Sequence, residues 1–235
     1  MRRIIILAIV SLIGLEARSE NFSCTVHDAV ITGTDSTLVC HMDGEDMVMD
    51  LPEGTRLRGI DAFGDGIIAI ADGGTILFWD SPFDKARRRH LDTKGELTDI
   101  DAGADVCYAV TDSSEIVSID QALQGKVFDF NSNYSEYYGK VHIIGIAAGP
   151  AAVFIAARRE DGRPAAFTST RGTVWSERDL DYSVNGVWHI FEKVPHGIAY
   201  EELSETFVLL CEDGVEFHLP ACSHCNYVTD PSTLQ

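Results

Sequence analysis

Five times along this chain a short apolar strand is followed by a turn and a second, alternating apolar strand. Leu57-Arg58-Gly59-Ile60-Asp61-Ala62 leads into Ile67-Ile68-Ala69-Ile70-Ala71, the turn Asp72-Gly73-Gly74 and then Thr75-Ile76-Leu77-Phe78-Trp79. Leu97-Thr98-Asp99-Ile100-Asp101-Ala102 precedes Val106-Cys107-Tyr108-Ala109-Val110, and Gly145-Ile146-Ala147-Ala148 precedes Val153-Phe154-Ile155-Ala156. Gly197-Ile198-Ala199-Tyr200 precedes Thr206-Phe207-Val208-Leu209-Leu210 and Asp213-Gly214, while a fainter copy starts at Val30-Ile31-Thr32. Anchored on Ile31, Ile60, Ile100, Ile146 and Ile198, the copies lie 29, 40, 46 and 52 residues apart.

Alternation aims one face of each strand at a core, and Asp-Gly between apolar runs suits a tight hairpin turn. A sheet of three or four such strands cannot cover both its faces alone. Radial stacking covers them, so the pattern predicts an all-β fold, a β-propeller of about five blades with three to four antiparallel strands each. Sharing residues 20–235 among five copies gives roughly 43 residues per copy, the usual length of a blade. An ordinary sandwich or barrel with similar turn spacing is the competing architecture. Only Ser81 to Arg89 and the stretch near Gln121 have room for a helical turn.

The start of the chain reads as a secretory signal peptide over residues 1–19, followed by a single propeller domain over 20–235. Arg2 and Arg3 precede the apolar run Ile4 to Leu15, and Ala17 and Ser19 suit cleavage. That run is too short to span a bilayer, so the expectation is a protein secreted or held in the secretory lumen, without stable membrane insertion and monomeric. A net charge of −19 argues against nucleic-acid partners. In an oxidising compartment Cys24, Cys40, Cys107, Cys211, Cys222 and Cys225 are expected to form disulfides, in pairings the sequence does not fix. A bond from Cys24 to Cys222 or Cys225, which would tie the last strand to the first blade, is the preferred one. Asn21 and Asn133 head sequons and are the expected glycosylation sites.

Signs of chemistry are sparse. Cys222-Ser223-His224-Cys225 lacks the βαβ setting of a redox pair, and His142, His189 and His218 sit between apolar neighbours, as surface or inter-strand histidines do. No nucleophile elbow, zinc motif or EF-hand loop is present, so neither a catalytic residue nor a cofactor is assigned. Asp61, Asp65, Asp72, Asp99, Asp101 and Asp112 are candidates for the axial mouth, where a ring of oxygens would suit Ca²⁺; solvated turns are the plainer reading. Arg158, Arg159, Arg163, Arg171 and Arg178 crowd one copy. Lys85-Ala86-Arg87-Arg88-Arg89-His90 is the one basic cluster, expected in an exposed link, with an acidic partner or processing as its functional readings. Tyr134, Tyr137 and Tyr138 fall in a Ser/Asn-containing stretch expected to be a loop.

The fourth copy, with Ala166-Phe167-Thr168-Ser169-Thr170-Arg171-Gly172-Thr173-Val174-Trp175, resembles a blade of the Asp-box (BNR-repeat) propellers. Their box reads Ser-x-Asp-x-Gly-x-x-Trp; Gly172 and Trp175 match as a structural turn motif, Thr168 or Ser169 opens it, and Thr170 or Arg171 replaces the Asp. The second and third copies resemble tectonin-type lectin repeats in rhythm. These resemblances imply a propeller and leave function open, since such propellers include sialidases, sortilin-type receptors and photosystem assembly factors. The expected function is a secreted, non-catalytic binding module for an extracellular protein or a glycan. A secreted glycoside hydrolase of the Asp-box type is the alternative, which requires acids and arginines convergent from several blades.

Overall fold

The computed structural model describes residues 22–221 and 226–229. The expected signal peptide, Asn21, Cys222 and Cys225 lie outside them. Each repeat closes on itself as a four-stranded antiparallel sheet in sequence order. Blade 1 is β1 (Phe22–Val26), β2 (Ala29–Thr34), β3 (Thr37–Met42) and β4 (Glu45–Val48). Blade 2 is β5 (Leu57–Phe63), β6 (Gly66–Ala71), β7 (Thr75–Trp79) and β8 (Arg87–His90). Blade 3 is β9 (Leu97–Ala102), β10 (Val106–Thr111), β11 (Glu115–Asp120) and β12 (Gly125–Asp129). After helix α1 (Phe130–Tyr138), blade 4 is β13 (Val141–Ala148), β14 (Val153–Arg159), β15 (Pro164–Ser169) and β16 (Ser176–Arg178). A separate hairpin, β17 (Asp181–Val184) and β18 (Val187–Ile190), precedes blade 5: β19 (Gly197–Glu201), β20 (Thr206–Leu210), β21 (Glu216–Pro220) and β22 (Tyr227–Thr229).

The sheets stand in a five-bladed propeller arrangement. Inner strand lies against inner strand from β1 to β5, β9, β13 and β19, and one apolar core fills each of the four interfaces between successive blades. In blade 2 the strands β6 and β7 are buried on both faces, which explains their near-continuous apolar sequence. Large residues such as Trp79, Phe154, Phe207 and Phe217 are sealed in these interfaces, each stabilising by about 1.5–3 kcal/mol through area removed from water.

Four details depart from the sequence reading. The anchors Ile60, Ile100, Ile146 and Ile198 lie on the inner strands, but Ile31 lies on β2, one strand further out; Cys24 on β1 is its cross-strand neighbour. The tyrosine-bearing stretch is not a loop but α1, capped by Asp129, whose side chain accepts the Ser132 N–H. The basic cluster is not a loop either: Arg87 to His90 form β8. Finally, no contact comparable to the other four joins β19 to β1. Among the described residues, then, the first and last inner strands are not packed together as the other four pairs are, and every blade takes all four of its strands from its own repeat. Helix α1 and the β17–β18 hairpin also account for the widening distance between the later copies.

Candidate interaction surfaces

The inner strands place Asp61 on β5 and Asp99 and Asp101 on β9 at the propeller axis, where each reaches across to the next blade. Asp61 accepts the Ala102 N–H at 2.6 Å, Asp99 the Ile146 N–H at 2.9 Å and Asp101 the Ala148 N–H at 2.7 Å. These backbone donors lie on the inner strand of the neighbouring sheet, where its own ladder leaves them free, so the carboxylates lock blade to blade. Asp101 also hydrogen-bonds Asp61. Desolvation, then the nearby Asp61 charge, raises Asp101 well above the usual carboxylate range. Asp61 is raised less, and Asp99 is pushed up to about 6 by desolvation against its two backbone donors.

The other candidate acids are elsewhere. Asp65 sits at an exposed turn 3.7 Å from His27, Asp72 is bound by Arg58 at 2.5 Å, and Asp112 accepts the Glu96 N–H at 3.1 Å. Among the described residues no cluster of His, Cys, Asp and Glu has the geometry to hold a metal. The arginines of blade 4 also scatter. Arg159 binds the Tyr138 carbonyl and Glu177, Arg163 pairs with Asp161, and Arg178 lies over the Phe154 ring. Arg158 faces a groove of about 660 Å³ between blades 4 and 5, beside His142, Lys193, His196 and Asp213.

Gly172 and Trp175 do form one turn. The Trp175 indole N–H donates to the Gly172 carbonyl at 3.2 Å, and the ring is buried between blades 3 and 4. Tyr134 packs beneath it and its hydroxyl accepts the Trp175 backbone N–H at 2.9 Å. Tyr138 also packs inward, so only Tyr137 of the three tyrosines is a free surface aromatic. Asn133 is exposed, and its amide donates to the Asp129 carbonyl at the start of α1.

Cys24, Cys40, Cys107 and Cys211 are buried free thiols, spread over three separate cores. The preferred bond from Cys24 therefore finds no support at its described end. His142 and His189 are exposed, whereas His218 is buried, stacked on Tyr227 with ring centroids 4.2 Å apart.

The surface that sequence reasoning missed is the β17–β18 hairpin. It belongs to no blade, and its turn is Asn185-Gly186, both at positive φ, the pairing a two-residue hairpin favours. Leu180 and Phe191 at its base are buried in the core between blades 4 and 5, joined by the Phe191 N–H to the Leu180 carbonyl. Tyr182 and His189 face each other across the ladder, with Tyr182 edge-on to Phe217. The opposite face carries Trp188 and Ile190, each 70% exposed. The sequence signal was present in Val187-Trp188-His189-Ile190, but a period-two apolar pattern does not tell which face finds a core.

No protein-family model matches the chain, and no curated protein matches its sequence. Solved structures do match in shape. YCF48 from Cyanidioschyzon merolae superposes with a TM-score of 0.66 at 12% identity, over 94% of this chain and 75% of that one. Human WBSCR16 gives 0.59 at 13% identity over 93% and 68%, and YCF48 bound to D1 peptide gives 0.60 at 13% identity over 90% and 69%. At these identities the likeness shows the propeller fold, and a quarter to a third of each of those chains has no counterpart here.

Proposed function

We propose that this chain is a non-catalytic protein-interaction module, exported by its N-terminal segment, that engages its partner through the β17–β18 hairpin. The observation that carries the reading is the pair Trp188 and Ile190, side by side and solvent-exposed on an element whose base is firmly anchored. Exposed aromatic and aliphatic side chains on a rigid support are what interface hot spots are made of, and propellers are frequent scaffolds for such sites. YCF48, on a similar fold, binds a D1 peptide. At the axis Asp61, Asp99 and Asp101 each accept a backbone amide of the next blade, an arrangement that suits a structural role for them.

The test is a photo-crosslinking residue at position 188 of the secreted protein, read by mass spectrometry. One stoichiometric protein adduct, lost on Ile190→Ser with folding intact, is the expected result. Specific retention on a glycan array with no protein adduct would shift the reading to sugar recognition. Turnover of a fluorogenic glycoside would overturn it.

A further inference from the structure

Strand β8 combines two properties found together nowhere else among the described residues: it is a sheet edge, and its side chains Arg87, Arg88, Arg89 and His90 are all basic and exposed. The Leu91 N–H donates to the Gly74 carbonyl at 2.8 Å. Antiparallel alternation then turns the main-chain groups of Arg89 and Arg87 toward β7 and those of Arg88 and His90 outward, without a ladder partner. Arg87 is held by Asp80 at 2.9 Å and lies 4.8 Å from the Phe78 ring centroid, and Arg89 donates to Gln124 at 3.0 Å. Arg88 and Lys85 have no carboxylate partner among the described residues. In a chain of net charge −19 this is a local cationic surplus on an open edge. Beside it, Phe83 stands 64% exposed.

We propose that β8 is the docking edge for an acidic, extended segment of a partner protein, which adds to blade 2 as a fifth, antiparallel strand. Main-chain bonds to Arg88 and His90 supply register, as in other strand-addition complexes. Carboxylates on both faces of the incoming strand meet Arg88 and His90 on one side and Arg87 and Arg89 on the other, with the exposed Phe83 offering an apolar contact at one end. A row of like charges blunts an edge against its own copy while attracting a strand of opposite sign. The site is on blade 2, independent of the hairpin beyond blade 4, so either proposal can fail alone.

The probe is a fluorescein-labelled ten-residue peptide in which Glu-Glu and Val-Val pairs alternate, so that an extended strand carries Glu on both faces, titrated with the purified full chain and followed by anisotropy. Saturable binding is expected. It should weaken about tenfold or more on Arg88→Glu and in high salt, and vanish when alternate peptide amides are N-methylated. Because Arg88 is exposed and has no carboxylate partner among the described residues, the variant should melt like the parent, which separates lost binding from lost folding. No binding, or equal binding by the N-methylated peptide, overturns strand addition. Tighter binding to a heparin oligosaccharide, lost on Arg88→Glu, would overturn it in favour of a polyanion site. A concentration-dependent dimer abolished by Arg88→Glu would overturn it in favour of self-association.

Discussion

Asp101 on blade 3 lies against Asp61 on blade 2 at the propeller axis, and burial, then the neighbouring Asp61 charge, raises Asp101 well above the usual carboxylate range. Asp61, raised less, accepts the Ala62 and Ala102 N–H groups at 2.7 and 2.6 Å. The roles of the two residues are therefore unequal, and substitution separates them.

Asp101, the more strongly raised of the two, is expected to hold the pair's proton at pH 7; Asp101→Asn then keeps both its functions, since its amide donates to Asp61 and its oxygen accepts the Ala148 N–H. It should leave urea stability at pH 7 nearly unchanged. Asp61→Asn points an amide N–H at a backbone donor and should cost about 1–3 kcal/mol, the penalty of an unsatisfied buried group. Equal losses for the two variants would refute the shared proton.

Asp99, raised from 3.8 to about 6 by desolvation, binds its proton more tightly folded than unfolded. Its contribution to stability is present in full below about pH 4 and is lost as pH rises through 6. A carbon-13 carboxyl titration should show one aspartate with a midpoint near 6. Asp99→Asn should remove that midpoint and flatten the stability profile between pH 4 and 7.

Gly59 and Gly145 occupy equivalent inner-strand positions, and an added Cβ would lie 3.0 Å from Ile100 Cγ2 in one case and 2.9 Å from Asp99 Oδ2 in the other. At Gly197, the counterpart on β19, nothing lies within 4 Å. Gly145→Val should therefore destabilise by about 1–3 kcal/mol through overpacking, whereas Gly197→Val should stay within about 0.5 kcal/mol of the parent. A large loss at Gly197 in denaturant titrations would mean that the ring closes.

Phe191→Ala should cost about 3–5 kcal/mol, as a large ring removed from the core between blades 4 and 5 leaves a cavity. Trp188→Ala, one face away on the same hairpin, should leave the thermal midpoint unchanged because its side chain is already in water. A matching loss for Trp188 would show that the hairpin face is covered in the free protein.

Alkylation without reductant checks the cysteines. Cys24 is buried, and desolvation and then the Asp61 charge raise its thiol, so it should resist iodoacetamide in the native protein. It should be fully labelled once the chain is unfolded in urea. Protection that persists in urea would restore the closing disulfide.

The blades were legible in the sequence because their causes are local. Period-two alternation, Asp-Gly turns at Asp72-Gly73 and Asp213-Gly214, and the phase of Ile60, Ile100, Ile146 and Ile198 act within a few residues, and each sheet closes within its own repeat. The first copy was read one strand out of phase because Cys24 and Val26 on β1 give a weaker pattern than Ile31 on β2. Helix α1 was missed for a different reason: its cap at Asp129 is a local signal, but the inward rings Phe130, Tyr134 and Tyr138 gain a core only between blades 3 and 4.

Which apolar faces are covered, and which acids meet, was decided by residues far apart in the chain. Phe217 and Trp188 look alike in sequence, each beside a histidine on a short apolar strand, yet one is sealed between blades and the other projects into solvent. Asp61 and Asp101 meet only when two blades stack, and among the described residues β19 and β1 do not pack together as the other inner strands do. Local pattern sets strand and turn by steric preference and solvent contrast over a few ångströms. Burial and proton affinity depend on what the rest of the fold brings within that same range.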